Sequence, residues 1–350
     1  MIPHNRPWIT AEDREAVDSV LASGWIAQGP KVEALELAFT KLYGGGAACA
    51  VSSGTSSLFL ALRALGVGVG SQVAVPSYAC SALLNAVYMA GAVPKVVDVT
   101  LGEFVIDPDA VQRQAPDAET AIAVHTYGAK APVGTLQAMG LKVIEDCCQS
   151  LGGYLDERPL GSDGDAAIFS FYATKVVSGG QGGMVWSKNA TLVEAIRDYR
   201  QFDCREEYYP RFNFQLTDIQ ASMILSQLER LDTIRARRAA IAARYAEAAP
   251  PEFRFQEGIN EQGRLAYRFV LVAPDKEARD ELLAHLCDAE VGCIIPVERH
   301  ELLHRYLRLD ASLFPVAEQL AELTLSLPIY PSLHDADIEV VCSALRSFSS

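Results

Sequence analysis

The stretch Ile168-Phe-Ser-Phe-Tyr-Ala-Thr-Lys175 sets a lysine directly after an apolar, strand-like run, flanks it with hydroxyls, and is followed at once by Ser178-Gly-Gly-Gln-Gly-Gly183. A lysine held out of water gives up its proton more readily and can condense with a carbonyl as a Schiff base. The spacing therefore predicts a desolvated amine of lowered pKa at Lys175; the plain alternative is a surface loop whose glycines serve as turns. Residues 142–146, Lys-Val-Ile-Glu-Asp, read as a buried strand ending in two carboxylates, with Gln149 shortly after. A carboxylate at a strand's carboxyl end faces the crevice in which open α/β sheets bind ligands. Asp146 could there keep a ring nitrogen protonated in a partly dry site, or simply cap a helix. Ser52-Ser53-Gly54-Thr55 lies where a strand-like run gives way to a helix. Free N–H groups and the helix dipole make such a terminus an anion site, and a glycine lets a phosphate approach the backbone; plain N-capping by Ser53 or Thr55 is the other reading.

Three further patterns carry weaker chemistry. His300-Glu301-Leu-Leu-His304 is a literal HExxH with Glu318 and Glu322 downstream; on a helix its histidines would share a face and could hold zinc, with Glu301 as general base of a metallopeptidase. It lies toward the C-terminus, away from the features above. Gly66-Val-Gly68-Val-Gly70 lacks the GxGxxG spacing of a dinucleotide site and reads as a loop. His125 and Tyr127 precede Gly128 at a strand end, in the crevice or packed behind it.

Short apolar runs at residues 72–75, 95–99, 121–125, 142–145, 166–171 and 184–187 alternate with helical patterns at 53–65 and 81–90. That alternation predicts a mostly parallel sheet covered by helices. After Leu216 one long helical pattern runs to Tyr245 and bridges to a smaller α+β unit of strand (267–272), helix (276–289), strand (291–295) and closing helix (335–348). The boundary is placed at 235/236, giving a large α/β domain over 1–235 and a small one over 236–350.

With 350 residues, half of them hydrophobic, a sizeable core is available. Thirty basic against 44 acidic residues, a net charge of −14, argue against a nucleic-acid partner, and the brief basic run Arg235–Arg238 reads as a solvated helix face. No run approaches the ~18 apolar residues of a membrane span and the start lacks a signal-peptide layout, which predicts no membrane association and a cytoplasmic location. The eight cysteines form no CxxC pair and read as reduced, mostly buried side chains, with no metal site among them.

Taken together, SGWIAQGPKVEALE, SSGTSSLFLAL, EDCCQSLGG, GSDGDAAIFSFYATK, RFNFQLTDIQASMILSQLERLD and LSLPIYPSL occur in order over nearly the whole chain. The combination resembles the DegT/DnrJ/StrS family of sugar aminotransferases. The resemblance implies a three-layer α/β fold of the pyridoxal-phosphate (PLP) transferase type, with a mostly parallel mixed central sheet and a smaller α+β C-terminal domain. It also implies a homodimer with shared active sites, PLP as cofactor, and transfer of an amino group from glutamate to a nucleotide-linked keto-sugar, or to a cyclitol ketone. By position, Lys175 would be the Schiff-base lysine and Asp146 the partner of the pyridinium. Gln149 would lie near the ring or its 3-oxygen, and Gly54, Thr55 and Ser170 would hold the phosphate. Asn213 and Gln215 would reach in from the neighbouring subunit. The chain departs from the family pattern at Cys80, where many relatives place a ring-stacking aromatic, and at Gln181, Gln215 and Tyr330. All four positions concern cofactor and substrate contacts.

Overall fold

The computed structural model describes residues 1–348. Seven strands form the main sheet: β1 (Ala47–Val51), β2 (Gln72–Pro76), β3 (Val93–Val97), β4 (Thr120–Val124), β5 (Lys142–Asp146), β8 (Ala166–Ser170) and β9 (Gly183–Ser187), with a short ribbon of β6 (Tyr154–Leu155) and β7 (Arg158–Pro159) between the fifth and the sixth of them. Their order is β1-β9-β8-β5-β4-β2-β3, and β9 alone runs against its neighbours. The sheet is thus mostly parallel and mixed.

β4 shows why it forms. Its sequence Thr-Ala-Ile-Ala-Val is buried throughout; Ala121 and Ala123 enter one core, while Ile122 and Val124 enter the other. A strand covered on both faces reads as a continuous apolar run, and the two cores require helices on both sides of the sheet. These are α1 (Ala11–Ser23), α2 (Pro30–Leu42), α3 (Gly54–Ala64), α4 (Ala82–Met89), α5 (Pro108–Gln114), α6 (Val133–Ala138), α7 (Ala190–Arg200) and α8 (Asp218–Leu228). Buried Asp218 accepts from the backbone N–H groups of Gly29, Lys31 and Val32 at 2.8–3.0 Å, so α8 caps the start of α2.

The single long helix expected after Leu216 is two, α8 and α9 (Leu231–Ala248). The break falls at Glu229 and Arg230, where the Arg230 guanidinium grips the buried Asp13 carboxylate of α1 at 2.9 and 3.0 Å. Helix α9 leaves one core for another along its length: Leu231 and Ile234 pack in the main core, Ile241, Ala242 and Tyr245 in a second one. The basic run on it is not the solvated face expected. Arg238 is buried and donates to the carbonyls of Ala266, Tyr267 and Ile329, and burial lowers its pKa to about 10.

The second core gathers β10 (Arg254–Phe255), β11 (Phe269–Val272), α10 (Lys276–Asp288) and, after α11 (Leu303–Tyr306) and α12 (Pro315–Leu323), β12 (Thr324–Leu327) and α13 (Asp335–Ser347). The strand expected over 291–295 is replaced by two isolated bridges, Ile2 with Val291 and Ile294 with Ser326. The N-terminal segment claims this stretch first, through Ile2 N–H to Glu290 O and Gly292 N–H to Ile2 O. All eight cysteines are free; Cys80, Cys204 and Cys287 are exposed, against the expectation of mostly buried thiols. Among the described residues no helix is long and apolar enough to cross a membrane.

Candidate active site

Because β1, β2, β4, β5 and β8 run in one direction, their carboxyl ends open on one side of the sheet, and the segments leaving them line a single cavity of about 450 Å³. That is within the range of small-molecule sites. β1 delivers Ser53, Gly54 and Thr55; β2 Tyr78 and Cys80; β4 Thr126 and Tyr127; β5 Asp146, Cys148 and Gln149; β8 Ser170 and Lys175. Every site residue expected from the sequence is therefore brought together, apart from Asn213 and Gln215. Asn213 is exposed, Gln215 is half-buried, and neither lines this cavity.

Ser53 is in extended conformation at the start of α3 and accepts from the N–H of Ser56 at 3.0 Å. The capping reading and the anion reading are compatible, since one cap satisfies one of the free N–H groups. A Cβ on Gly54 would lie 2.9 Å from the Cβ of Ser170 and 3.3 Å from Cys148 Sγ, so only glycine lets the helix start close against β8.

Asp146 is buried and accepts from the N–H of Cys148 at 2.9 Å. Gln149 Oε1 accepts from the N–H of Tyr127 at 3.0 Å, which leaves its amide NH₂ for the cavity. Tyr127 holds left-handed dihedrals (φ 55, ψ 24), a conformation that costs on the order of 1–3 kcal/mol and persists only where its surroundings enforce it. His125, two residues before it, is fixed on both ring nitrogens: its Nδ1 accepts from the N–H of Ala131, so its Nε2 carries the hydrogen and donates to Glu145 at 2.8 Å. Glu145 also accepts from Gly161, Asp163 and Gly164. Burial works against its charge, yet the His125 bond and these N–H groups outweigh it and lower its pKa. His125 thus stands behind the cavity and Tyr127 in its wall. Gly128 completes the turn at φ 94, with Leu265 O only 1.9 Å from where a Cβ would sit.

Lys175 Nζ makes no hydrogen bond among the described residues and lies 5.5 Å from the centre of the Tyr267 ring. The expected fall in its pKa is not found. Burial does lower it, but the phenolic and thiol anions of Tyr267 and Cys148 and the carboxylate of Asp146 more than offset burial, and the net direction is upward. Asp146 is the carboxylate among these neighbours.

The HExxH residues take another part. Residues 299–301 form a 3₁₀ turn, α11 starts only at Leu303, and His300 is exposed, so the two histidines do not share one helix face. His304 is buried and stacked on Phe314; its Nδ1 pairs with Ser77 Oγ at 2.6 Å and its Nε2 with Glu318 at 2.8 Å. The motif is not remote from the site either: Glu301 lines the cavity, and His304 ties Ser77, at the end of β2, to α12. Among the described residues no group of three His, Cys, Asp or Glu side chains could hold a metal ion.

Thr126, Cys148, Tyr267 and Arg268 also line the cavity. None stood out in the sequence: Tyr267 and Arg268 merely open a strand-like run, and Thr126 is one hydroxyl among many.

Residues 7–346 match the DegT/DnrJ/EryC1/StrS aminotransferase family. The chain belongs to this family. It is 32% identical to the spore coat polysaccharide biosynthesis protein SpsC of Bacillus subtilis (strain 168), over 99% of this chain and 96% of that protein. It superposes on the aminotransferase TlmJ of Streptoalloteichus hindustanus with a TM-score of 0.89 at 28% identity, covering 99% of this chain and 98% of that one. DesV of S. venezuelae, solved in complex with a ketimine intermediate, gives 0.87 at 31% identity over 96% and 94% of the two chains. The fold is further matched at a TM-score of 0.92 by Spr1654 of Streptococcus pneumoniae in its PMP form, at 24% identity over 99% and 97%.

The protein is a PLP-dependent aminotransferase. Its own residues fit that cofactor: an unpartnered amine in the cavity, a buried carboxylate at a strand end, a helix start that only glycine can bring against Ser170, and a buried Thr126 hydroxyl with no hydrogen-bond partner.

Proposed function

We propose that this aminotransferase moves the amino group of L-glutamate to a keto-sugar carried on a nucleotide, in the biosynthesis of an amino sugar. The observation that carries the reading is the cavity itself, in which a lysine amine without a partner faces the carboxylate of Asp146 and a helix start suited to phosphate. The relative from Bacillus subtilis, named for polysaccharide biosynthesis, supports a sugar as acceptor.

In this reading the N–H groups at the start of α3, with Gly54, Thr55 and Ser170, hold the phosphate, as the dipole and the free donors of a helix N-terminus favour. Asp146 would keep the ring nitrogen protonated, Gln149 would offer its NH₂ to the cofactor, and Cys80 would stand in the wall where many relatives place an aromatic. The bound cofactor supplies the electron sink. Lys175 would hold the cofactor and would serve as the base that moves the proton at the substrate's α-carbon.

Asn213 and Gln215 belong to the same proposal as contributors to a partner's site in a cytoplasmic homodimer. They lie outside their own chain's cavity, in the surface stretch between α7 and α8. Mixing K175A with N213A subunits tests this: if sites are shared, the mixture regains turnover that neither variant has alone, because one mixed site carries both native residues.

The donor and acceptor are tested by incubating the holoenzyme with L-glutamate and a panel of nucleotide-linked keto-sugars. Formation of 2-oxoglutarate in step with an amino sugar supports the proposal; amination of a cyclitol ketone alone would replace the acceptor.

A further inference from the structure

The peptide unit that joins Thr174 to Lys175 is planar and rigid, so whatever holds its two polar ends fixes the Cα from which the Lys175 side chain starts. Its N–H donates to Tyr172 O at 2.9 Å, inside the loop. Its C=O is claimed from outside the loop, by Asn5 Nδ2 at 3.2 Å and by the Tyr267 hydroxyl at 3.4 Å. At the far end of the loop Ser178 exchanges two hydrogen bonds, of 2.8 and 3.0 Å, with the buried amide of Gln227 on α8. The Lys175 amine has no hydrogen bond of its own among the described residues, so these backbone contacts decide where it stands.

Asn5 ends a segment fastened to the second core, not to the sheet that carries Lys175. Ile2 is buried in that core; its N–H donates to Glu290 O at 2.7 Å and its C=O accepts from Gly292 at 2.8 Å. His4 Nε2 pairs with Ser326 Oγ of β12 at 2.9 Å. A Cβ on Gly292 would lie 2.8 Å from Ile2 O and 3.2 Å from His4 N, so the segment seats against bare backbone there. By Trp8 the chain packs on the main core. Asn5 thus stands where the chain crosses from one core to the other, and it crosses beside the lysine. Asn5, Pro7 and Trp8 share with Lys175, Val176 and Ser178 the lining of a cleft of about 10 Å³, the lower limit for one water.

Two donors from separate segments converge on one carbonyl, and that carbonyl belongs to the peptide of Lys175. We propose that Asn5 is a positioning residue for Lys175, and that residues 2–5 form a strap through which the second core sets where the amine stands. Placement of this kind matters, because a reacting group displaced by about 1 Å can cost on the order of a hundredfold in rate. The inference rests on the reading of Lys175 as the lysine that holds the cofactor, and goes beyond it to what aims that lysine.

Hydrogen exchange of the cofactor-free protein reads the loop, and steady-state kinetics of the holoenzyme read the amine. N5A removes the donor, N5D keeps its shape without an N–H, and G292A lifts the strap at its seat, outside the cavity lining. G134A, whose Cβ would meet nothing within 4 Å, is the control. Each of the first three should speed amide exchange over residues 172–178 by roughly fivefold, the worth of one hydrogen bond. Each should also lower kcat by roughly fivefold or more with the donor's KM unchanged. G134A should alter neither, and in N5A and N5D the amides of β11 and α10 should exchange as before. Unchanged loop exchange or unchanged kcat in N5A and N5D would overturn the proposal. So would exchange that rises across β11 and α10 in those two variants, the mark of a general brace. A loop loosened by N5A and N5D but not by G292A would remove the strap. Failure of the lysine reading is separable, since it shows as turnover by K175A whatever the loop exchange does, and it would take the role of Asn5 with it.

Discussion

The charge on Lys175 depends on its neighbours more than on its burial. Desolvation favours the free amine, yet the anionic forms of Tyr267 and Cys148, and after them the Asp146 carboxylate, reverse the sign. D146N in the cofactor-free protein should therefore move the Lys175 titration down in pH, read by the pH dependence of its reductive methylation; an unmoved or higher midpoint would remove Asp146 from the charges that raise it. The sequence alone indicated the wrong direction because it shows that a lysine is enclosed by apolar residues but not which anions face it. The same blindness hid Arg268. Arg268 reaches the cavity wall only in the folded chain.

The elements that carry the site were more legible. Each parallel strand of the main sheet announced itself as a short apolar run, since burial on both faces removes polar residues. The direction of the strands then places whatever follows them on one side, which is why Gly54, Asp146 and Lys175 could be grouped while far apart in sequence. The start of α3 offers the sharpest test of that placement. A Cβ at Gly54 would press on Ser170 at 2.9 Å, and overpacking of this kind costs about 1–3 kcal/mol. G54A should weaken cofactor binding by roughly tenfold or more, measured as the dissociation constant of PLP, while G134A, where a Cβ meets nothing within 4 Å, should leave it unchanged. What failed at this scale failed for tertiary reasons. The helix break at Arg230 is set by Asp13, more than 200 residues earlier, and the stretch 291–295 is divided between the N-terminal segment and β12. Periodicity within a segment carries no trace of either. The proposed boundary at 235/236 falls within α9, between its contacts with the two cores.

Across the whole molecule, Glu318 joins α12 to the turn that carries the HExxH residues. It accepts from His304, Arg299 and Arg305. Burial would raise its pKa, but these three donors together lower it to about 2, from an ordinary 4.5. A depressed carboxylate stabilises the fold above its ordinary value and loses that contribution as pH falls toward the depressed one. The protein should therefore lose thermal stability between about pH 4.5 and 2, and E318Q should be less stable at neutral pH with a flatter decline over that window; a parallel decline would remove Glu318 from the account. Because His304 links this cluster to Ser77 at the end of β2, the same acidification should loosen the cavity wall.

The central claim is that Lys175 carries the cofactor and releases it to an amino-acid donor. The most direct measurement is the visible absorbance of the PLP-loaded protein and of K175A, before and after L-glutamate. The account predicts a yellow protein whose band fades as glutamate is added, and a K175A variant that lacks the band and turns nothing over. An unaltered protein that stays colourless with PLP supplied, or a K175A variant that remains active, would contradict it.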